Sequence, residues 1–209
     1  MIRSFIGAVS GAVFSVVFLV TLVSSASAAD VNKVVESCAA CHGKDGASTE
    51  SDVPTIAGYS AQYIIDSMAA YKKKQRPCPA TKFRSGAKKG QPTDMCKTAG
   101  ELSDDDAKAV AKYFAGKKFV RAKQPFDAAL AKKGKQLHDV HCEKCHSEGG
   151  SLADDDAGIL AGQHKQYLAE AFKEYASGKR PMPEKMKPKI EKLEKSDFDA
   201  LLNFYAGAQ

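Results

Sequence analysis

Apolar residues recur at helical spacing in two segments of the chain that resemble each other. They fall three to four positions apart within residues 63–71 and again within residues 167–175. This spacing is typical of one face of an amphipathic helix. A short apolar run precedes each segment, Ile56-Ala57-Gly58 in the first and Leu160-Ala161-Gly162 in the second. The pattern therefore predicts two equivalent helices in two similar parts of the chain.

A second pair of helices is predicted where each part ends. Residues 103–115 begin with Ser103 and three aspartates, which is typical of a helix N-terminus, and Gly116 marks the end of the helix. The counterpart in the second part is predicted over residues 196–205. Residues 117–125, between the two parts, end in a proline and indicate an extended linker. With little sign of β-strands, the predicted fold class is all-α.

These paired elements belong to an internal repeat. An offset of 104 residues places Arg76-Pro77 on Arg180-Pro181. Further along the chain the offset falls to 91, which places Phe114-Ala115-Gly116 on Tyr205-Ala206-Gly207. The first half therefore carries about 13 extra residues near 78–90. This stretch is rich in Lys, Pro and Gly, and we predict a surface loop unique to the first half.

The N-terminal segment differs from the rest of the chain. Residues 5–23 are apolar, follow Arg3 and lead into a run of Ser and Ala, which is the pattern of a secretory signal peptide. A membrane anchor is the alternative, because the run is just long enough to span a bilayer. We predict a signal peptide over residues 1–28 and two domains, residues 29–120 and 121–209.

The composition narrows the function classes. The chain has 209 residues, of which 44% are hydrophobic and 27% charged, and this excludes a collagen-like chain, a disordered chain and a large multidomain enzyme. Its formal net charge is +6, but the lysines are dispersed and no aromatic residues are interleaved with them. We therefore expect solvated faces and no binding of nucleic acid, with a weaker indication of an acidic partner.

Four of the six cysteines form two copies of the motif Cys-x-x-Cys-His, at residues 38–42 and 142–146. This motif is the covalent attachment signature of c-type haem. Two thiols one helical turn apart can bond the two vinyl groups of one porphyrin, and the next residue can place an imidazole nitrogen on the iron. The motifs predict two covalently bound haem c groups. The attached cysteines would be Cys38, Cys41, Cys142 and Cys145, and the axial histidines would be His42 and His146.

A zinc site and a redox dithiol are the alternatives for these motifs. Two Cys-x-x-Cys pairs can assemble a zinc site, but 100 residues lie between Cys41 and Cys142, far beyond the usual spacing. A thioredoxin-like motif requires a βαβ setting and no histidine. The haem interpretation is therefore favoured.

Haem iron with one histidine still has an open axial position, which electron carriers fill with Met. Met1 is lost with the signal peptide, and Met68 lies on the apolar face of a predicted helix, as expected for a core residue. Met95 lies just before the last helix of the first half, and the offset of 91 maps it onto Met186. We predict Met95 and Met186 as the sixth ligands, with Met182 as the rival in the second half.

The ligating histidines need a partner for the second ring nitrogen. The carbonyl of Pro54 is the candidate for His42, and the repeat places Gly158 at the equivalent position for His146. Three further histidines would matter only for a bis-histidine haem, and we expect solvated or supporting roles for them. They are His138, His141 and His164.

Cys78 and Cys96 are left over, and an even pair in an oxidising compartment predicts a disulfide. Free thiols are the alternative. Because Cys96 is the neighbour of Met95, our hypothesis is that a disulfide clips the extra loop and keeps Met95 on the iron.

The repeat resembles the di-haem cytochrome c family, in which two tandem class I cytochrome c domains each surround one covalent haem. The second half also resembles the cytochrome subunit of flavocytochrome c sulfide dehydrogenase. The similar stretches are residues 122–130, 134–138, 141–150, 159–163, 179–182 and 185–186. The first half, with its extra loop, is less similar to that subunit.

This resemblance implies a non-catalytic electron-transfer subunit in the periplasm. An FAD-containing partner would oxidise sulfide to sulfur or polysulfide, and this chain would pass the electrons to a small soluble acceptor such as a cytochrome c. The chain has no Gly-x-Gly-x-x-Gly fingerprint, so the FAD would be bound by the partner alone. Two alternatives are a free-standing periplasmic di-haem carrier between respiratory complexes and a haem enzyme with an open iron position. None of the three implies membrane contact after removal of the signal.

Overall fold

The computed structural model describes Met1 and residues 30–209. The predicted signal peptide therefore lies, apart from Met1, outside the described residues. The described elements follow the chain in this order: α1 (Val31–His42), α2 (Ala61–Lys72), β1 (Thr81–Lys82), β2 (Pro92–Thr93), α3 (Met95–Gly100), α4 (Asp104–Ala115), α5 (Ala128–His141), α6 (Ser147–Gly150), α7 (Lys165–Ala176), α8 (Lys187–Ile190) and α9 (Lys195–Gly207). The prediction of an all-α fold is confirmed. Within these described residues, no helix combines the length and the apolar character needed to cross a bilayer.

Each half of the repeat has a hydrophobic core, and Ile159 of the second half packs into the core of the first. In the first half, α1, α2 and α4 pack around the buried side chains of Val110 and Phe114. In the second half, Leu168 on α7 packs against Leu201 and Tyr205 on α9. Met68 is buried in the first core, as predicted. The order of helices is the same in both halves, which is the two-domain plan expected from the repeat.

The ends of the last helices show how local sequence sets the elements. Ser103 caps α4 in a reciprocal pair with Asp106, as its position predicts. The matching helix, α9, begins at Lys195, one residue before the predicted start. Glu194 and Asp197 form the capping box there, so a carboxylate caps this helix where a serine caps α4.

The extra segment of the first half is more ordered than the predicted surface loop. Thr81 pairs with Thr93 and Lys82 with Pro92, so that β1 and β2 form a short antiparallel hairpin. The backbone N–H groups of Arg84 and Ser85 donate to the carbonyl of Ala40, which lies inside the first Cys-x-x-Cys-His motif. The hairpin is therefore packed against this motif on α1.

A glycine allows α5 and α9 to cross closely. A Cβ atom at Gly134 would collide with the backbone carbonyl of Ala200 and would lie 2.8 Å from the Cβ of Phe204. Because the nearest atoms belong to the backbone, the clash cannot be relieved by a rotamer change.

We expect Gly134→Ala to lower the free energy of unfolding by about 1–3 kcal/mol or more, because the two helices must separate. The matched control is Gly100→Ala in α3, where nothing lies within 4 Å of the added atom. We expect that control to be neutral or slightly stabilising. Denaturant unfolding of both variants measures the difference, and equal stabilities would contradict the close crossing.

The two halves meet in a buried polar interface centred on Gln163. Its side-chain oxygen accepts from the N–H of Thr55 at 3.0 Å, and its amide nitrogen donates to the carbonyl of Thr55 at 2.9 Å and to the hydroxyl of Tyr59 at 2.8 Å. Nearby, Nε2 of His164 lies 2.9 Å from the carbonyl of Ser48. Gln163 is 0% exposed, so its side-chain hydrogen bonds to Thr55 and Tyr59 are buried and hold one half against the other.

Candidate haem sites

The first Cys-x-x-Cys-His motif occupies the last turns of α1. Cys38 and Cys41 lie one turn apart on this helix, and His42 is its last residue. Gly43 follows with φ of 79°, a left-handed conformation that ends the helix. The geometry presents both sulfur atoms and the imidazole from one helix end, as attachment and ligation of a single haem require.

The ring of His42 is oriented for metal binding. Its Nδ1 lies 2.9 Å from the carbonyl of Pro54, the partner predicted from the sequence. A carbonyl only accepts, so Nδ1 carries the proton and Nε2 keeps its lone pair. Burial lowers the pKa of His42 and keeps the ring neutral, which is the form that binds iron.

The second motif has a looser surrounding. Cys142 ends α5, and the residues up to His146 form a turn. Nδ1 of His146 is buried without a hydrogen-bond partner. Burial lowers the pKa of this ring, and the nearby carbonyl of Gly158 acts on the pKa in the opposite direction. Gly158 stands where the first half has Pro54.

The thiols fit attachment to haem better than zinc binding or redox chemistry. Burial raises the pKa of Cys38 to about 11, with a contribution from Cys41, and burial also raises the pKa of Cys142. Zinc and disulfide exchange require the thiolate, whereas a thioether carries no charge.

The arrangement of other side chains also disfavours a zinc site. Among the described residues, the one group of three His, Cys, Asp or Glu side chains close enough to share an ion is Cys78, Asp94 and Cys96. Cys78 and Cys96 are joined in a disulfide. The two Cys-x-x-Cys motifs therefore do not converge on one metal.

The proposed methionine ligands take equivalent places in the two halves. Met95 is the first residue of α3, and Met186 directly precedes α8. Each short helix leads into the last helix of its half, so the match derived from the repeat extends to the local structure. The rival, Met182, lines a cavity of about 510 Å³ in the second half. Other lining residues are Tyr175, Arg180, Ile190, Leu193 and Phe198.

Two buried arginines provide a further test of whether the chain fits a haem. Arg76 and Arg180 are 8% and 7% exposed, and each guanidinium stacks on a tyrosine, Tyr71 at 4.3 Å and Tyr175 at 4.5 Å. The nearest carboxylate to Arg180 is that of Glu174, at 3.9 Å. Nε of Arg76 is buried without any partner.

This cluster holds more positive than negative charge. Although burial alone would raise the pKa of Tyr167, the two guanidinium groups lower it. Buried cations require anions close by. Two haem groups would bring four propionates into the protein, and Arg76 and Arg180 fit the binding of such carboxylates. The residues present therefore fit the group that the motifs predict.

The disulfide joins the hairpin segment to the start of α3. Its Cα atoms are 5.7 Å apart, and the bridge spans 18 residues. Cys96 is the second residue of α3, directly after Met95, so the bridge restrains the backbone beside the proposed ligand.

We expect the double substitution Cys78→Ser, Cys96→Ser to lower stability by about 3 kcal/mol, the value for a loop of this size. If the bridge keeps Met95 on the iron, the absorption band of methionine-bound ferric haem should disappear at a lower temperature than in the parent protein. An unchanged spectrum with an unchanged temperature for the loss of methionine would disprove the hypothesis.

Two of the three remaining histidines are engaged in other contacts in this structure. His138, which we expected to be solvated or supporting, is fully buried and hydrogen-bonded through both ring nitrogens. His164 contacts the other half through Nε2. The sequence did not reveal the contacts of Gln163 or the role of the two arginines. The repeated Arg-Pro pair was the signal that could have identified the arginines.

Comparisons with known proteins agree with this description. A family model described as cytochrome c matches residues 28–116. The chain is 30% identical over 186 residues to cytochrome c4 of Stutzerimonas stutzeri, a match that covers 81% of this chain and 83% of that protein. The crystal structure of reduced recombinant cytochrome c4 from Pseudomonas stutzeri is similar with a TM-score of 0.66 and 26% identity, covering 85% of this chain and 98% of that chain.

A shorter similarity concerns a protein of sulfur metabolism. The chain is 37% identical over 82 residues to a thiosulfate dehydrogenase electron acceptor of Stutzerimonas stutzeri strain A1501. This match covers 39% of this chain and 32% of that protein, so it extends over one part of each. The similarity to cytochrome c4, in contrast, includes both halves of the repeat.

Proposed function

We propose that this chain carries electrons from a sulfur-oxidising dehydrogenase to a soluble acceptor in the periplasm. The chain belongs to the cytochrome c family and is a di-haem protein of the cytochrome c4 type. The chain is an electron-transfer cytochrome with two covalently bound haem c groups. The observation that carries the proposal is the pair of equivalent Cys-x-x-Cys-His sites joined by a buried interface. Two one-electron centres in one rigid chain suit a donor that releases electrons in pairs.

The bound haem supplies an iron that changes by one electron between the ferric and ferrous states. The protein holds each group in place. We assign attachment to Cys38 and Cys41 in the first half and to Cys142 and Cys145 in the second, with ligation by the histidine that follows each pair. Attached haem cannot dissociate, which suits an exported carrier.

The neighbouring residues keep the geometry constant during electron transfer. The carbonyl of Pro54 holds the ring of His42 in one orientation. We assign Met95 and Met186 as the second protein ligands of the two irons, where a soft thioether would raise the reduction potential and exclude small ligands. With both ligands bound in either oxidation state, little reorganisation would be needed when the charge changes.

For the electron donor, we propose an FAD-containing flavoprotein that oxidises sulfide to sulfur or polysulfide. The support is the similarity of residues 141–150 and of the other second-half stretches to the cytochrome subunit of flavocytochrome c sulfide dehydrogenase. A periplasmic location is supported by the apolar N-terminal sequence and by the haem attachment motifs, since haem c is attached outside the cytoplasm.

A second candidate is a free-standing carrier that accepts electrons from a thiosulfate-oxidising enzyme. Two similarities favour it: cytochrome c4, whose match includes both halves, and the thiosulfate dehydrogenase electron acceptor. In this candidate no partner is permanently bound, and the same residues hold the haems.

Rapid mixing separates the two candidates. The oxidised chain would be mixed in turn with a sulfide-oxidising flavoprotein plus sulfide and with a thiosulfate dehydrogenase plus thiosulfate, with each donor lacking its substrate as control. Fast haem reduction and co-purification with the flavoprotein support the first proposal. Fast reduction only by the thiosulfate enzyme supports the second, and reduction by neither would contradict a sulfur-oxidising donor.

A further inference from the structure

Three polar side chains form a hydrogen-bonded set beside the second haem attachment motif. Nδ1 of His138 lies 2.9 Å from the hydroxyl of Tyr205, and its Nε2 lies 2.7 Å from a carboxylate oxygen of Glu143. His138 is 0% exposed and Tyr205 is 1% exposed. We call these three residues the His138 relay. It connects a buried phenol to a carboxylate at the surface.

The surroundings fix the protons of the His138 relay. Glu143 accepts from the backbone N–H groups of Glu148 at 2.9 Å and of Gly149 at 3.2 Å, in addition to His138. Both loop residues adopt positive φ, 54° and 68°, which turns their N–H groups toward the carboxylate. The N–H of Gly149, together with His138, lowers the pKa of Glu143, so the group is ionised and only accepts.

The proton positions follow from this acceptor. Nε2 of His138 must donate to Glu143, and with a neutral ring Nδ1 is an acceptor. The hydroxyl of Tyr205 therefore donates to His138 and turns its oxygen lone pairs away from the ring. Cys142 packs in the same cluster as Tyr205. Burial raises the pKa of Tyr205 well above its usual range, and the adjacent Cys142 sulfur adds to the rise.

The first half has no counterpart of the His138 relay. The repeat places Val34, Ala39 and Phe114 at the positions of His138, Glu143 and Tyr205. All three are apolar, and Val34 and Phe114 belong to the first hydrophobic core. All three positions therefore change from apolar to polar between the two halves, whose order of helices is otherwise the same.

We propose that the His138 relay lowers the reduction potential of the haem attached at Cys142 and so makes the two haems inequivalent. The negative charge of Glu143 polarises His138, which in turn draws the Tyr205 proton and enriches its oxygen in electron density. This oxygen lies beside the attachment sulfur and favours the ferric state. His138 and Tyr205 are buried, which strengthens the hydrogen bond between them, and hydrogen bonding and burial are recognised determinants of haem potentials.

Other charged groups lie near the second attachment motif. Asp155 acts on the ring of His146 and opposes the lowering of its pKa by burial. Lys189 acts on Cys142 and opposes the effect of Glu143. Lys189 and Asp155 are unchanged in the variants below, so the differences report on the relay alone.

Tyr205→Phe is the sharpest test, because it removes one oxygen and installs the residue of the first half. We expect a redox titration to show that one of the two midpoint potentials rises. The equilibrium for electron exchange between the two haems should shift on the order of tenfold toward reduction of the second haem. Glu143→Gln should shift the same midpoint in the same direction, because it removes the charge and keeps the shape. The matched control is Tyr113→Phe, which removes the hydroxyl that donates to Asp45 in the first half and should leave the second-haem midpoint unchanged.

A lower melting temperature of Tyr205→Phe with unchanged midpoints would show a purely structural role and overturn the proposal, as would a midpoint that falls. The inference rests on the second haem and not on the identity of the donor. A haem-to-protein ratio of two in every variant would show that both haems are attached, so that an unchanged midpoint potential reports on the relay and not on a missing haem. Neither the ratio nor the midpoint potential depends on which dehydrogenase reduces the chain.

Discussion

Met186→Leu should convert the second haem to a form without a sulfur ligand and leave the first haem intact. Half of the absorption band of methionine-bound ferric haem should disappear, and one of the two midpoint potentials should fall steeply. The reason is that a thioether stabilises ferrous iron. Axial ligands set haem potentials over a range of about 0.8 V, so we expect a change that is a substantial fraction of that range. Optical redox titration of the purified variant measures both effects.

Met182→Leu is the matched control, because it lies four residues earlier in the same loop and lines the neighbouring cavity. We expect its spectrum and midpoints to resemble those of the parent protein. Met95→Leu should reproduce the Met186→Leu result in the first haem. If Met182→Leu, rather than Met186→Leu, loses the sulfur band, the ligand assignment in the second half is wrong.

Local signals in the sequence were sufficient for most of the fold. Ser103 and the aspartates after it identify the start of α4, because a cap depends only on residues a few positions away. The Cys-x-x-Cys-His motifs are equally local, and the repeat transferred each assignment from one half to the other. The partner of His42 could also be predicted, since Pro54 lies only 12 positions along the chain.

Contacts between the halves could not be predicted in this way. Gln163 bonds Thr55 across 108 positions, and nothing in the residues around Gln163 indicates such a partner. His138 looked like a surface histidine at the end of a lysine-rich helix. Its burial depends on how α5 crosses α9, which is a property of tertiary packing and not of local pattern.

The two buried arginines lead to the second large prediction. Arg76→Met should lower the free energy of unfolding of the haem-containing protein by about 3–5 kcal/mol, the cost of removing one partner of a buried ion pair. It should also lower a midpoint potential, because positive charge near haem favours the ferrous state. Methionine keeps much of the apolar volume over Tyr71, so the loss reports mainly on charge. Arg180→Met should act similarly and in addition leave Glu174 without its cation.

Arg84→Met is the control, because its guanidinium pairs with Glu50 and Asp52 near the surface, with 26% of the side chain exposed. Exposed pairs contribute about 0–1 kcal/mol, so this variant should remain close to the parent in stability. If Arg76→Met proved as stable as Arg84→Met, the buried guanidinium would have no anion beside it. A buried cation with an unpaired Nε would then destabilise the protein, and the propionates would have to lie elsewhere. The stability difference between these two variants therefore tests where the haem carboxylates bind, independently of which methionine ligates the iron.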